Sequence, residues 1–136
     1  MTPSERAAFL ADLHVGILAI DEPGRGPLAL PVWYEYLDGH VAIRMDGSSL
    51  KARLLRAAGR ATFTVQTEVA PYQYVSVEGP VAVEADSGSN LSMATRYLGA
   101  DMGRWYADNN PPTADSVIVR LTPEHWRTFD YGKALA

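Results

Sequence analysis

The chain contains no cysteine. Disulfides, zinc–thiolate sites and thiol catalysis are thereby excluded. No apolar run approaches the roughly 18 residues that a membrane span needs. The opening "MTPSERAAFLADLH" has no basic segment followed by an apolar one, so no secretory signal is expected. Positive charge is scarce: 12 Lys and Arg stand against 16 Asp and Glu, a net charge of −4. General nucleic-acid binding needs a basic face and is not expected. No His, Asp and Glu cluster has metal-ligand spacing, so no metal site is expected. His14, His40 and His125 lack Ser and Asp company at suggestive spacing, and no acid–base triad is expected. What remains is a cytoplasmic protein with one domain over residues 1–136, and its 47% hydrophobic content is enough for a real core.

The pattern along the chain alternates strands with a few helices. Thr2-Pro3-Ser4-Glu5 forms a capping box with proline at the first helical position. The helix it starts should end near His14, with Ala7, Ala8, Leu10, Ala11 and Leu13 as its apolar face. Strands follow at 14–21 and 27–37. Asp38-Gly39 is a hairpin turn signal leading into a third strand at 40–45. Ser48 to Ala58 reads as a helix with Gly59 as its C-cap and Leu50, Leu54 and Ala57 on one face. "RATFTVQT" (60–67) alternates cleanly. "YQYVSVEGPVAVEA" (72–85) is a long strand whose Pro80 belongs at a bulge or an edge. Residues 87–108 switch to helical period, "NNPPT" stops that helix, and 116–131 close the sheet with one or two strands. This order argues for an α+β domain on a small antiparallel barrel.

One stretch stands out against the acidic background. Between residues 44 and 60 lie Arg44, Lys51, Arg53, Arg56 and Arg60, five of the 12 cations, with Ser48 and Ser49 at the helix start. Free backbone N–H groups and the helix dipole attract anions there. Two readings stay open at this point. The serines and cations could hold a phosphate, or Ser48 simply caps a helix with a basic solvated face. Trp33 and Tyr34 on one strand and Tyr72, Gln73 and Tyr74 on another would suit a flat ring joined to a phosphate tail. Core or interface packing is the alternative for each aromatic. Tyr97, Trp105 and Tyr106 on the 87–108 helix could roof a pocket or pack that helix on the barrel.

The run of strand, "GSSLKARLL", helix, "RATFTV" and "YVSVEGPV" resembles the pyridoxine 5'-phosphate oxidase-like split-barrel proteins, also called flavin/deazaflavin oxidoreductases. The resemblance covers about residues 5–133, and "LTPEHW" extends it more loosely. It implies a six-stranded antiparallel split β-barrel with flanking helices that forms a homodimer. It also implies FMN or the deazaflavin F420 in a groove at the dimer interface. Ser48, Ser49 and Lys51 would take the cofactor phosphate, with Arg44 and Arg53 as further donors. Pro31, Val32 and Trp33 would run along the ring system, and Tyr72, Gln73, Tyr74 and Trp126 would flank it. The ending "HWRTFDYGKALA" has Arg127 but lacks the Arg-x-His segment of true pyridoxine phosphate oxidases. The cations beyond Lys51 tip the choice slightly toward F420.

The function implied is hydride transfer between F420 or FMN and a small planar organic substrate, with the chemistry supplied by the cofactor. Two alternatives remain open. One is a non-catalytic carrier or sensor of the same cofactors. The other is a haem- or biliverdin-handling split barrel, which would need an axial ligand such as His125 or His40.

Overall fold

The computed structural model describes residues 1–135. Its elements, in chain order, are α1 (Pro3–Ala11), β1 (Gly16–Ile20), β2 (Leu28–Val32), β3 (Glu35–Leu37), β4 (His40–Asp46), α2 (Leu50–Ala58), β5 (Arg60–Gln66), β6 (Gln73–Ala85), α3 (Leu91–Leu98), α4 (Ala100–Asn109), β7 (Ser116–Leu121), β8 (His125–Asp130) and α5 (Tyr131–Ala134). All strand pairs are antiparallel. The fold is the expected α+β class, but the described residues form eight strands rather than six. The extra strands come from two breaks, at 33–34 and at 122–124, and each break has a physical cause.

The first break curls the sheet. Strand order is β2-β1-β5-β6-β7-β4-β3, so β2 and β3 lie at opposite ends of the path. Only Trp33 and Tyr34 separate them in sequence. The three Cα steps from Val32 to Glu35 span at most about 11 Å, so the sheet must curl until its ends come near each other. The single strand expected over 27–37 is therefore two. At this seam neighbouring side chains part company, as successive residues of extended chain do. Tyr34 turns inward and is fully buried. Its ring meets Phe63 edge-on at 4.7 Å, and its hydroxyl donates to the Leu10 carbonyl at 2.6 Å. Burial raises the Tyr34 phenol well above its ordinary pKa, so it stays a neutral donor. Trp33 stacks instead on Tyr97 of α3, at 5.0 Å and 5°.

The second break lies on the spine. The 13-residue β6 pairs with β5 along one edge. On the other edge β8 covers its first half and β7 its second. The register slips by one residue between Val81↔Leu121 and Glu78↔His125. Pro80 sits at this changeover, in a central strand rather than an edge, where the ladder is already interrupted by the change of register. Its carbonyl still accepts from Thr122 N at 3.0 Å. A β-carbon on Gly79 would overlap the Thr122 carbonyl, so glycine is what lets the corner approach.

Local signals account for most remaining boundaries. Asp38 and Gly39 both take positive φ, 52° and 79°, as the tight β3–β4 hairpin requires. Gly59 caps α2 in the left-handed region at φ 70°. At the other end of α2, Ser49 is the cap and Ser48 lies outside the helix. The buried face of α2 is Ala52 and Leu55, with Leu54 at its margin and Leu50 exposed. In α1 the buried pair is Phe9 and Leu10, while Leu13 lies beyond the helix and is exposed. The one helix expected over 87–108 is two, α3 and α4, divided at Gly99 with φ 83°. They fold back on each other through Gly103, whose β-carbon position is 2.6 Å from Thr95 Cα. No described helix is long and apolar enough to cross a membrane.

Candidate functional site

The α3–α4 pair does not lie flat on the sheet. Between it and strands β4 and β7 is a cavity of about 490 Å³, within the size range of small-molecule and cofactor sites. Trp33, Met93 and Tyr106 supply its apolar wall, and Trp33 and Tyr106 rings are 5.3 Å apart. Arg44, Asp86 and Asn110 are among its polar lining. The wall is held rigidly from behind. Tyr97 donates its hydroxyl proton to the His14 carbonyl at 2.6 Å and accepts from Tyr34 N at 3.1 Å. Arg96 of α3 reaches the Ala11 and Asp12 carbonyls at the end of α1, where a cation also suits the helix dipole.

Arg44 is the cavity's one lining cation. Its Nη1 donates to the Ser89 carbonyl at 2.7 Å and lies 3.4 Å from an Asp86 carboxylate oxygen. Its Nε is buried and has no partner. Arg96 Nε, away from the cavity, is buried and unpartnered in the same way, so what Arg44 offers a ligand is the exposed quarter of its side chain.

The basic stretch around Arg44 divides by role. Arg56 donates to the Gly47 carbonyl at 2.6 Å, and Arg60 bonds Glu78 and Glu124 at 3.0 and 2.7 Å. These two are structural. Among the described residues, neither Lys51 nor Arg53 has a side-chain hydrogen bond or ion pair. The serines are engaged locally. Ser49 Oγ accepts from Ala52 N at 3.2 Å and donates to the Asp46 carbonyl at 2.6 Å. Ser48 Oγ donates to the Asp115 carboxylate at 2.7 Å.

The other sequence-chosen residues lie on different elements. Pro31 is exposed on β2, an end strand of the sheet, and Val32 is buried in the core. Tyr72 is exposed just before β6, Gln73 N donates to Thr67 Oγ1 at 2.9 Å, and Tyr74 stacks with Phe129 at 6.5 Å. Trp126 on β8 lies under the Arg6 guanidinium, 4.3 Å from its ring centre. None of these lines the cavity, and neither do Ser48, Ser49, Lys51 or Arg53; Trp33 and Arg44 do. Asp86, Asn90, Met93, Asn109 and Asn110 line it too and were not singled out from sequence. The adjacent asparagines of "NNPPT" were the one signal, and they read only as a helix stop. Tyr106 roofs the cavity, Tyr97 packs behind it, and Trp105 faces elsewhere and is exposed.

No histidine lines the cavity. His40 bonds Thr122 Oγ1 at 3.0 Å, and His14 stacks on Phe9 with its Nε2 at 3.1 Å from the Phe9 carbonyl. Among the described residues no group of three His, Asp or Glu is placed to hold a metal.

No family model and no curated protein matches the chain by sequence. Solved structures do match in fold. The conserved hypothetical protein Rv2991 of Mycobacterium tuberculosis superposes with a TM-score of 0.83 at 25% identity, over 100% of this chain and 89% of its own. An F420 reductase gives 0.73 at 22%, over 88% of this chain and 94% of its own. A candidate pyridoxamine 5'-phosphate oxidase from Listeria innocua gives 0.71 at 15%, over 93% and 96%. The chain has the pyridoxine 5'-phosphate oxidase-like split-barrel fold.

Proposed function

We propose that this protein binds a deazaflavin or flavin, F420 in preference to FMN, and is an oxidoreductase acting on a small planar organic substrate. The observation that carries this reading is the cavity beside Trp33, where an aromatic wall faces Arg44, with two uncommitted cations close by in sequence. The same fold in an F420 reductase supports it. The residues fit the cofactor: a flat wall for a ring, a donor for a ring or phosphate oxygen, and Lys51 and Arg53 for a phosphorylated, acidic tail. When bound, the cofactor supplies the hydride chemistry. The chain's own residues bind and orient. The exposed part of the Arg44 guanidinium would donate a hydrogen bond to a ligand oxygen. Trp33, backed by Tyr97, keeps water from one face of the ring and fixes its plane. Lys51 and Arg53 attract the anionic tail, and Ser48 and Ser49 belong to the loop that receives the phosphate.

A homodimer is part of this reading. On the outward face of the sheet, Pro31, Ile17, Thr64 and Ser76 form an uncharged row across β2, β1, β5 and β6. Ile17 is 42% exposed. Tyr72, Gln73, Tyr74 and Trp126, which line no cavity with Trp33 in their own protomer, would serve the partner's site.

The test is equilibrium titration of the purified protein with F420, FMN and haemin, followed by fluorescence and absorbance, with sedimentation in parallel. Saturable one-to-one F420 binding tighter than FMN binding, on a dimer, is the expected result. A preference for FMN moves the protein to the flavin branch. Binding of haemin alone, or of none of the three, overturns the reading.

A further inference from the structure

The loop before α2 already holds an anion, and the chain supplies it. Asp115, in the turn leading into β7, comes back 67 residues in sequence to accept from Ser48 Oγ at 2.7 Å; the Ser48 backbone N–H points at the same carboxylate oxygen from 3.4 Å. The turn itself is anchored independently, since Gly47 N donates to the Asp115 backbone carbonyl at 2.7 Å and Asp115 N to Thr113 Oγ1 at 3.2 Å. A β-carbon on Gly47 would lie 3.0 Å from that carbonyl and 3.2 Å from Arg56 Nη2. The backbone is thus pinned while the carboxylate is an exposed side chain free to change rotamer.

We propose that Asp115 is a specificity-determining residue, a built-in competitor for the anionic group that the Ser48 loop receives. This rests on the reading that the Ser48-Ser49-x-Lys51 loop takes an anionic part of a cofactor. Ser48 has a single hydroxyl proton to donate. While Asp115 holds it, an incoming phosphate meets a spent donor and a like charge. Binding requires the Asp115 side chain to rotate away toward solvent. The repulsion grows with the charge the ligand brings to that spot: a terminal phosphate monoester brings about −1.5 to −2, and a phosphate esterified on both sides within a longer tail brings less. Asp115 therefore selects against a terminal monophosphate and in favour of a phosphate carried inside a tail.

Calorimetric titrations of wild type and Asp115→Asn with F420, FMN and inorganic phosphate test this. Asparagine keeps the shape and removes the charge. The variant should bind phosphate and FMN about tenfold more tightly, as expected for removing a close like charge at a protein surface, and F420 by a smaller factor. Ser48→Ala added to Asp115→Asn should reduce the gain, because the freed donor is gone while the like charge stays removed. Asp101→Asn on α4 removes the same net charge elsewhere and should change binding less than twofold. If Asp115→Asn binds cofactor and phosphate as wild type does, or more weakly, the competitor role is wrong while the cofactor reading stands on the wild-type titration. If the variant gains phosphate binding and neither cofactor binds either protein, the competitor role holds and the cofactor reading fails.

Discussion

Replacing Gly79 with alanine tests the account of how the barrel turns its corner. Gly79 lies in β6 where the covering strand changes from β8 to β7. A methyl there would overlap the Thr122 carbonyl and come within 3.2 Å of Glu124 N. Both neighbours are backbone, so no side-chain rotation relieves the clash. The 122–124 corner must move out, straining two hydrogen bonds, Thr122 N to the Pro80 carbonyl at 3.0 Å and Glu124 N to the Glu78 carbonyl at 2.8 Å. Overpacking of this kind costs roughly 1–3 kcal/mol, and each strained bond about 0.5–1.5 kcal/mol net. The sum, about 2–6 kcal/mol, is a large share of the 5–15 kcal/mol typical of a domain. Urea unfolding followed by circular dichroism should show a lower midpoint with little change in slope. A Gly79→Ala protein within about 0.5 kcal/mol of wild type, the range of neutral surface changes, would refute the corner geometry.

Three further outcomes are expected. Lys51→Ala should weaken cofactor binding by about 10- to 150-fold, the equivalent of one charge-assisted contact of ~1.5–3 kcal/mol, with the unfolding midpoint unchanged; equal binding would remove Lys51 from the phosphate site. Gly103→Ala should push α4 from α3, since its β-carbon would sit 2.7 Å from Thr95 N; Tyr106 would shift with α4, and the emission of Trp33 beside it should change along with a loss of about 1–3 kcal/mol in stability. Burial lowers the pKa of His14 below its ordinary 6.5, so the unfolded chain takes that proton first. Stability should fall as pH drops through 6.5 and level off below the folded-state value. Urea midpoints at pH 8, 6 and 5 should show this slope in wild type and a shallower one in His14→Gln.

Much of the fold is local and therefore legible. The Thr2–Glu5 capping box, the Asp38-Gly39 turn, the Gly59 cap and the alternation of β5 all appear where neighbouring residues demand them, while the N-cap of α2 falls on Ser49, one residue after the Ser48 that the sequence suggests. These signals act within four or five residues, through backbone sterics and nearby hydrogen bonds. They fail where a distant partner decides. Nothing local distinguishes a continuous strand over 27–37 from two strands meeting at a seam, because the break at Trp33-Tyr34 follows from the two ends of the sheet having to come near each other. The helical period over 87–108 hides the fold-back at Gly99, which depends on Gly103 meeting Thr95.

The candidate site shows the same division. The amino-acid sequence by itself determined that cations and serines cluster around the start of α2 and that an aromatic pair stands at residues 33 and 34. Only the tertiary structure decided which of them face a cavity. Arg44 lines it, Arg56 and Arg60 are consumed by the Gly47 carbonyl and by Glu78 and Glu124, and Lys51 and Arg53 are left uncommitted among the described residues. The pairing of Ser48 with Asp115 is likewise a tertiary fact. A hydrogen bond needs its atoms within about 3 Å, and β4 lying beside β7 is what brings residues 67 apart to that distance.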